Sequence, residues 1–197
     1  MSSISPEIAR LREHLQKAAD IAEPFKRRMY ALGVISAALA PRGIVPILVG
    51  GCAVEFYTLG SYATQDVDVV VSGRDEFDEV LRSLRFSKGT GQRHWYSEEL
   101  DLAIEAPDSV LAGSLERVVA VEVEGFTVHI IGLEDLLMDR LRAFVYWQSA
   151  ADGEWAARII ALHASEIDWP YLEDQAAREG LTDALETVRR GAGVAGA

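Results

Sequence analysis

Cysteine is almost absent from this chain, because Cys52 is the only one among 197 residues. A single thiol excludes an intramolecular disulfide. The sequence also has no apolar run long enough to span a bilayer, and it shows no apolar core of a secretory signal peptide. We therefore expect a soluble protein of a reducing, cytoplasmic compartment.

Basic residues are scarce as well. Lys and Arg number 19 against 31 Asp and Glu, which gives a formal net charge of -12 at pH 7. Proteins that bind nucleic acid or an anionic membrane without sequence preference need a basic surface that releases counterions. The charge balance therefore argues against a membrane partner and does not favour nucleic acid as a partner. It does not exclude a local basic groove.

The chain does contain enough apolar sequence for one substantial core, since 49% of its residues are hydrophobic. Helical spacing over residues 1–42 predicts an N-terminal helical arm, and residues 43–132 alternate strand and helix patterns. Helical spacing returns over 133–190, whereas the small, glycine-rich residues 191–197 predict a disordered tail. The predicted fold class is α+β, with a small mixed sheet, flanking helices and a helical C-terminal part.

The stretch VGGCAVEFYTLGSYATQDVDVVV, residues 49–71, places two carboxylates in an apolar strand pattern. Residues two apart on a strand point to the same side, so Asp66 and Asp68 share one face. Asp101 lies between leucines on a later extended stretch, and on an adjacent strand it would come within reach of this pair. Converging carboxylates repel unless a cation neutralises them, and Mg²⁺ prefers oxygen ligands. We therefore predict that these three aspartates bind metal and act in catalysis, although Asp101 or the nearby Glu105 could instead be a solvated edge charge.

Gly50 and Gly51 follow the first predicted strand and precede a short helical segment. Glycines at such a turn allow a phosphate to approach the backbone N–H groups at the helix N-terminus. Taken alone, a glycine pair is more often only a tight turn, and Asp-x-Asp is common on exposed strand faces. Together, the two signals predict a site for a nucleotide and its metal ion.

Residues 50–71 resemble the glycine-pair and Asp-x-Asp signature of the nucleotidyltransferase (polymerase β-like) superfamily, in particular its small prokaryotic members related to AbiEii-type toxin nucleotidyltransferases. The resemblance covers about residues 45–163. It implies Asp66, Asp68 and Asp101 as the metal-binding carboxylates. In the later helix, where many relatives have a lysine, this chain has two arginines that can bind phosphate. The substrate-binding residues that the resemblance implies are Gly50, Gly51, Thr64, Arg140 and Arg142.

The activity expected from this resemblance is Mg²⁺-dependent transfer of a nucleoside monophosphate from an NTP to a hydroxyl acceptor, which is a small molecule, a protein side chain or an RNA end. Asp101 would complete the site and take the acceptor proton. Tyr62 stands where many relatives have an arginine. A second hypothesis is therefore a non-catalytic nucleotide-binding member of a toxin–antitoxin or regulatory pair, with a cognate antitoxin or regulatory protein as partner. A third is a structural protein whose acids are only solvated charges.

Overall fold

The computed structural model describes residues 5–89 and 94–194, so residues 1–4 of the predicted arm and 195–197 of the predicted tail lie outside the described residues. The strands are β1 (Ile47–Val49), β2 (Asp66–Val70), β3 (Trp95–Ser97), β4 (Leu102–Asp108), β5 (Val119–Val123) and β6 (Phe126–Ile130). The helices are α1 (Pro6–Ala19), α2 (Pro24–Leu39), α3 (Gly50–Tyr57), α4 (Arg74–Ser83), α5 (Leu133–Tyr146), α6 (Ala150–His163), α7 (Trp169–Arg178) and α8 (Thr182–Gly191).

The six strands form one mixed sheet in the order β3-β4-β2-β1-β6-β5. The central strand β1 pairs antiparallel with β2 and parallel with β6, whereas β2 pairs parallel with β4. The outer strands β3 and β5 pair antiparallel with β4 and β6. The predicted α+β class, with a small mixed sheet and flanking helices, is therefore confirmed.

The alternating sequence of β2 separates the two faces of the sheet. Val67 and Val69 are buried, whereas Asp66 is exposed and Asp68 is half-buried. In β4, Ile104 is buried in the same way between less buried neighbours. Because successive strand residues point to opposite faces, the valines enter the core while the aspartates project from the other face. The sequence pattern therefore places the acids outside the core at the centre of the sheet.

The helices at both ends of the chain share one core with the sheet. The helix α2, which belongs to the predicted arm, packs against β6 and α4 and buries Leu32, Ile35 and Leu39. At the other end, α5 packs against α6, α7 and α8, and α3 contacts both α5 and α6. The chain stays packed beyond α8, because Val194 in the predicted tail lies against the core. None of the helices in the two described ranges combines the length and apolarity that crossing a bilayer would require.

Candidate active site

The turn from β1 into α3 lies directly beside the second aspartate of β2. Val49 pairs with Asp68 in the antiparallel ladder, and Gly50 follows with a φ of +61°. Residues with a side chain are strained in this left-handed conformation. A Cβ at Gly50 would also lie only 2.4 Å from Asp68 Oδ2. Glycine is therefore required here both for the backbone conformation and for the space that the carboxylate occupies.

The N-terminus of α3 opens at the same place. Its N-cap residue is Val49, whose apolar side chain makes no capping hydrogen bond. The first N–H groups of a helix have no acceptor within the helix, and the helix dipole adds partial positive charge there. Phosphate oxygens are stabilised in such a position. Gly50 and Gly51 therefore form a backbone surface suited to a phosphate group next to the Asp68 carboxylate.

The segment of residues 61–64 covers the second glycine of this turn. A Cβ at Gly51 would lie 3.2 Å from both Thr64 Oγ1 and Tyr62 Cε1. The ring of Tyr62 also packs edge-on against Trp155 of α6, with 5.0 Å between the ring centroids. Thr64 therefore lies at the predicted phosphate site, and the 61–64 segment joins the glycine turn to α6.

The acid that pairs with Asp68 from the neighbouring strand is Glu105. In the parallel ladder between β2 and β4, Asp68 pairs with Glu105 and Asp66 with Ala103, so the three carboxylates project from one face. Burial raises the pKa of Asp68, and the negative charges of Glu105 and Asp66 raise it further. His94 Nδ1 lies 3.3 Å from Glu105 Oε2 at the exposed rim. The structure therefore gathers Asp66, Asp68 and Glu105.

Asp101, which the sequence pattern suggested as the third carboxylate, lies elsewhere. It precedes the first residue of β4, Leu102, in a turn, and its φ of +46° interrupts the extended backbone. Its Oδ1 accepts a hydrogen bond of 2.9 Å from the hydroxyl of Tyr96, at the exposed surface. The Leu-Asp-Leu pattern resembles a strand, but the strand begins only after the aspartate. The structure does not bring Asp101 to the other two aspartates, and it places Glu105 there instead.

The two candidate arginines of α5 face different surroundings. Arg140 Nη1 donates a hydrogen bond of 2.6 Å to Asp152, its guanidinium also binds Asp139, and its positive charge opposes the rise in the pKa of Asp68. Arg142 instead binds Glu179 with two hydrogen bonds of 2.7 and 2.6 Å. Residues two apart on a helix point about 200° apart, so one helix cannot direct both side chains to the same cleft. Of the two arginines, Arg140 lies next to the carboxylates of the sheet, whereas Arg142 links α5 to Glu179, the residue that follows α7.

The donor set suits a hard divalent cation. Asp66, Asp68 and Glu105 offer only carboxylate oxygens, which Mg²⁺ prefers. Within the parts of the chain that the structure describes, no three His, Cys, Asp or Glu side chains converge closely enough to hold an ion by themselves. Mg²⁺ sites commonly use one or two carboxylates and complete the shell with water and substrate phosphates. The paired Asp68 and Glu105 fit that type of site.

A solved structure of another protein supports the fold. The chain matches no family model and no curated protein. Among solved structures it is similar to an antigenic nucleotidyltransferase-like protein from Paracoccidioides brasiliensis, with a TM-score of 0.62 and 15% sequence identity over 91% of this chain and 88% of that chain. It also aligns with the antibiotic-resistance factor ANT(2'')-Ia, with 17% identity over 80% of this chain and 94% of that chain, at a TM-score of 0.47, which is too low to support further argument. The chain therefore has a nucleotidyltransferase-like fold, and its relation to AbiEii-type toxins stays a prediction.

Proposed function

We propose that this protein is a Mg²⁺-dependent nucleotidyltransferase that moves a nucleoside monophosphate from an NTP to a hydroxyl acceptor. The observation that carries the proposal is the contact between the Gly50 turn and the Asp68 carboxylate. This contact puts a carboxylate, a group that can bind a cation, beside the uncapped N-terminus of α3. A cation at Asp68 and a phosphate at Gly51 would therefore be neighbours, as nucleotidyl transfer requires. The nucleotidyltransferase-like fold supports the same conclusion.

The surrounding residues have distinct roles in this proposal. Asp68 and Glu105 would hold Mg²⁺, with Asp66 on the same face of the sheet adding negative charge near the ion. The ion, when bound, neutralises the negative charge that develops on the phosphates. The backbone N–H groups of Gly50 and Gly51 would donate hydrogen bonds to phosphate oxygens. Beside them lie the other two groups proposed to contact phosphate, the hydroxyl of Thr64 and the guanidinium of Arg140.

Glu105 takes the place that the sequence pattern gave to Asp101, including the role of general base. The acceptor hydroxyl would lose its proton to the Glu105 carboxylate as its oxygen forms a bond to the α-phosphorus. The bond from that phosphorus to the bridging oxygen would break, and pyrophosphate would leave. The half-buried position of Glu105 beside Asp68 supports this role, because a base must lie within hydrogen-bond reach of the reacting group.

A second candidate is a nucleotide-binding protein without turnover. Two observations favour it: Tyr62, at the position where the family resemblance implies an arginine, covers Gly51, and Arg140 is already bound by Asp139 and Asp152. The resemblance of residues 50–71 to AbiEii-type toxins extends either candidate to a cytoplasmic toxin–antitoxin or regulatory pair. The partner would then be a cognate antitoxin or regulatory protein.

Calorimetric titration of the four NTPs with Mg²⁺ tests the proposed site. We expect metal-dependent binding of at least one NTP to the wild type and loss of binding in an Asp66→Asn, Asp68→Asn double variant. Glu105→Gln should weaken binding, whereas Asp101→Asn, the matched control, should not. A folded wild-type protein that binds no NTP in the presence of Mg²⁺ would refute the proposed function.

Pyrophosphate release separates the two candidates. It should be measured with three classes of hydroxyl acceptor in turn: small molecules, proteins and RNA ends. Release that depends on one class supports the transferase and identifies its acceptor. NTP binding without release for any class supports the non-catalytic candidate.

A further inference from the structure

One face of α6 lies along the 61–64 segment. Trp155 and Arg158, three residues apart on this helix, are neighbours on its surface. Trp155 packs against Tyr62, and Arg158 Nη2 donates a hydrogen bond of 3.1 Å to Ser61 Oγ. The same helix provides Asp152, the partner of Arg140. This face therefore borders the candidate site from the glycine turn to Ser61.

The candidate site has more negative than positive charge. Asp66, Asp68 and Glu105 lie together on the sheet, and the charge of Arg140 is offset by its two aspartate partners. A nucleoside triphosphate adds several further negative charges. Even with a bound divalent cation, its binding therefore favours a positively charged side chain that is not already paired.

Arg158 is a positively charged side chain of this kind. Its side chain is exposed, and among residues 5–89 and 94–194 it forms no ion pair with a carboxylate. Its guanidinium donates a hydrogen bond to the neutral hydroxyl of Ser61, which a phosphate oxygen can replace. A guanidinium binds phosphate through two parallel hydrogen bonds, and such charge-assisted bonds are stronger than a bond to a neutral hydroxyl.

We propose that Arg158 is a substrate-binding residue that contacts the polyphosphate of the bound NTP. The inference rests on the proposed function of the site. It assigns to α6 a direct part in recognising the triphosphate, in addition to its packing role. It also predicts that the protein distinguishes an NTP from the corresponding NMP partly through this one side chain.

Binding measurements on four variants test this assignment. Arg158→Gln removes the positive charge. Arg158→Lys keeps the charge but lacks the planar guanidinium group that can form two parallel hydrogen bonds. Ser61→Ala removes only the hydrogen bond to the loop. Arg178→Gln is the matched control, because Arg178 is an exposed arginine whose ion pair is with Asp174, on α7. Dissociation constants are measured with Mg²⁺ for the NTP that the wild type binds and for the corresponding NMP.

We expect Arg158→Gln to raise the dissociation constant for the NTP by about tenfold or more, the size of a lost charge-assisted hydrogen bond. Its dissociation constant for the NMP should change by less than about twofold, and the lysine variant should be intermediate. Ser61→Ala and Arg178→Gln should bind the NTP as the wild type does.

Two results would overturn the assignment and leave the proposed function intact. One is a wild type that binds an NTP and an Arg158→Gln variant that binds it equally well. The other is an equal loss of NTP and NMP binding that Ser61→Ala reproduces, because Arg158 would then only anchor the loop. A wild type that binds no NTP would instead refute the proposed function, and this assignment with it.

Discussion

Replacing Gly50 with alanine tests how tightly the glycine turn and the Asp68 carboxylate are coupled. The alanine would have to adopt a φ of +61°, which costs about 1–2 kcal/mol. Its Cβ would lie 2.4 Å from Asp68 Oδ2 and 3.1 Å from Asp68 Cβ and Cγ. The carboxylate or the turn must move, and overpacking of this kind costs about 1–3 kcal/mol more. We therefore expect Gly50→Ala to lower the free energy of unfolding by about 2–5 kcal/mol.

Gly43 provides a matched control for the backbone strain. Its φ is +68°, and a Cβ there would meet nothing within 4 Å. Gly43→Ala should therefore cost only the strain of about 1–2 kcal/mol. In an Asp68→Ala background, the contact with Oδ2 is gone and only the 3.1 Å contact with the Cβ stays, so Gly50→Ala should cost little more than Gly43→Ala. The double-mutant cycle then isolates a coupling of about 1–3 kcal/mol between Gly50 and Asp68.

Urea unfolding followed by tryptophan fluorescence measures these differences, since the chain has four tryptophans. A parallel titration with Mg²⁺ and NTP measures the effect on the site. Gly50→Ala should lose metal-dependent binding, because the displaced carboxylate is a proposed metal ligand, whereas Gly43→Ala should retain it. Equal destabilisation by the two substitutions, or normal NTP binding by Gly50→Ala, would refute the coupling between turn and carboxylate.

Three further predictions concern charged groups. Because the pKa of Asp68 is raised, the folded chain keeps the carboxyl proton at pH values where the unfolded chain has lost it. The contribution of Asp68 to stability is therefore present at low pH and is lost as the pH rises above the ordinary aspartate pKa of about 3.9. Without Mg²⁺, Asp68→Asn should therefore have a higher urea midpoint than the wild type near pH 7, and the gap should close in acid. Arg28 and Glu55 form a buried ion pair of 2.5 Å. Arg28→Met alone should cost about 3–5 kcal/mol in urea unfolding, and adding Glu55→Leu should recover most of it; a single variant as stable as the wild type would contradict this prediction. Arg142→Gln should lower stability by about 1 kcal/mol or less and leave calorimetric NTP binding unchanged, whereas weakened binding would show that Arg142 reaches the site.

Local sequence patterns were sufficient for β2 and the glycine turn. The alternation of Val67 and Val69 with Asp66 and Asp68 has the period of a strand, and the structure buries the valines accordingly. Gly50 follows a strand directly and has the positive φ that glycine tolerates best. Both features depend on a few neighbouring residues, so a single sequence contains the information that predicts them.

The third carboxylate depends on information that is not local. Asp101 and Glu105 both lie in a segment that reads as extended, and the choice between them requires the register of β4 against β2. That register is set by the packing of the whole sheet. The positive φ of Asp101, which takes it out of the strand, is a second feature that alternation does not reveal. Likewise, the choice between Arg140 and Arg142 requires knowing which side of α5 faces the acids.

The packing of α6 against the 61–64 segment has a consequence for the order of synthesis on the ribosome. Trp155 is synthesised 50 residues after Glu105, an interval of roughly 3–10 s at about 5–20 residues per second. During that time the growing chain carries Asp66, Asp68 and Glu105, while Tyr62 lacks its aromatic partner. A truncated chain that ends just after β6 would have these carboxylates but would lack α6 beside them. The candidate site is therefore complete only after α6 has been synthesised.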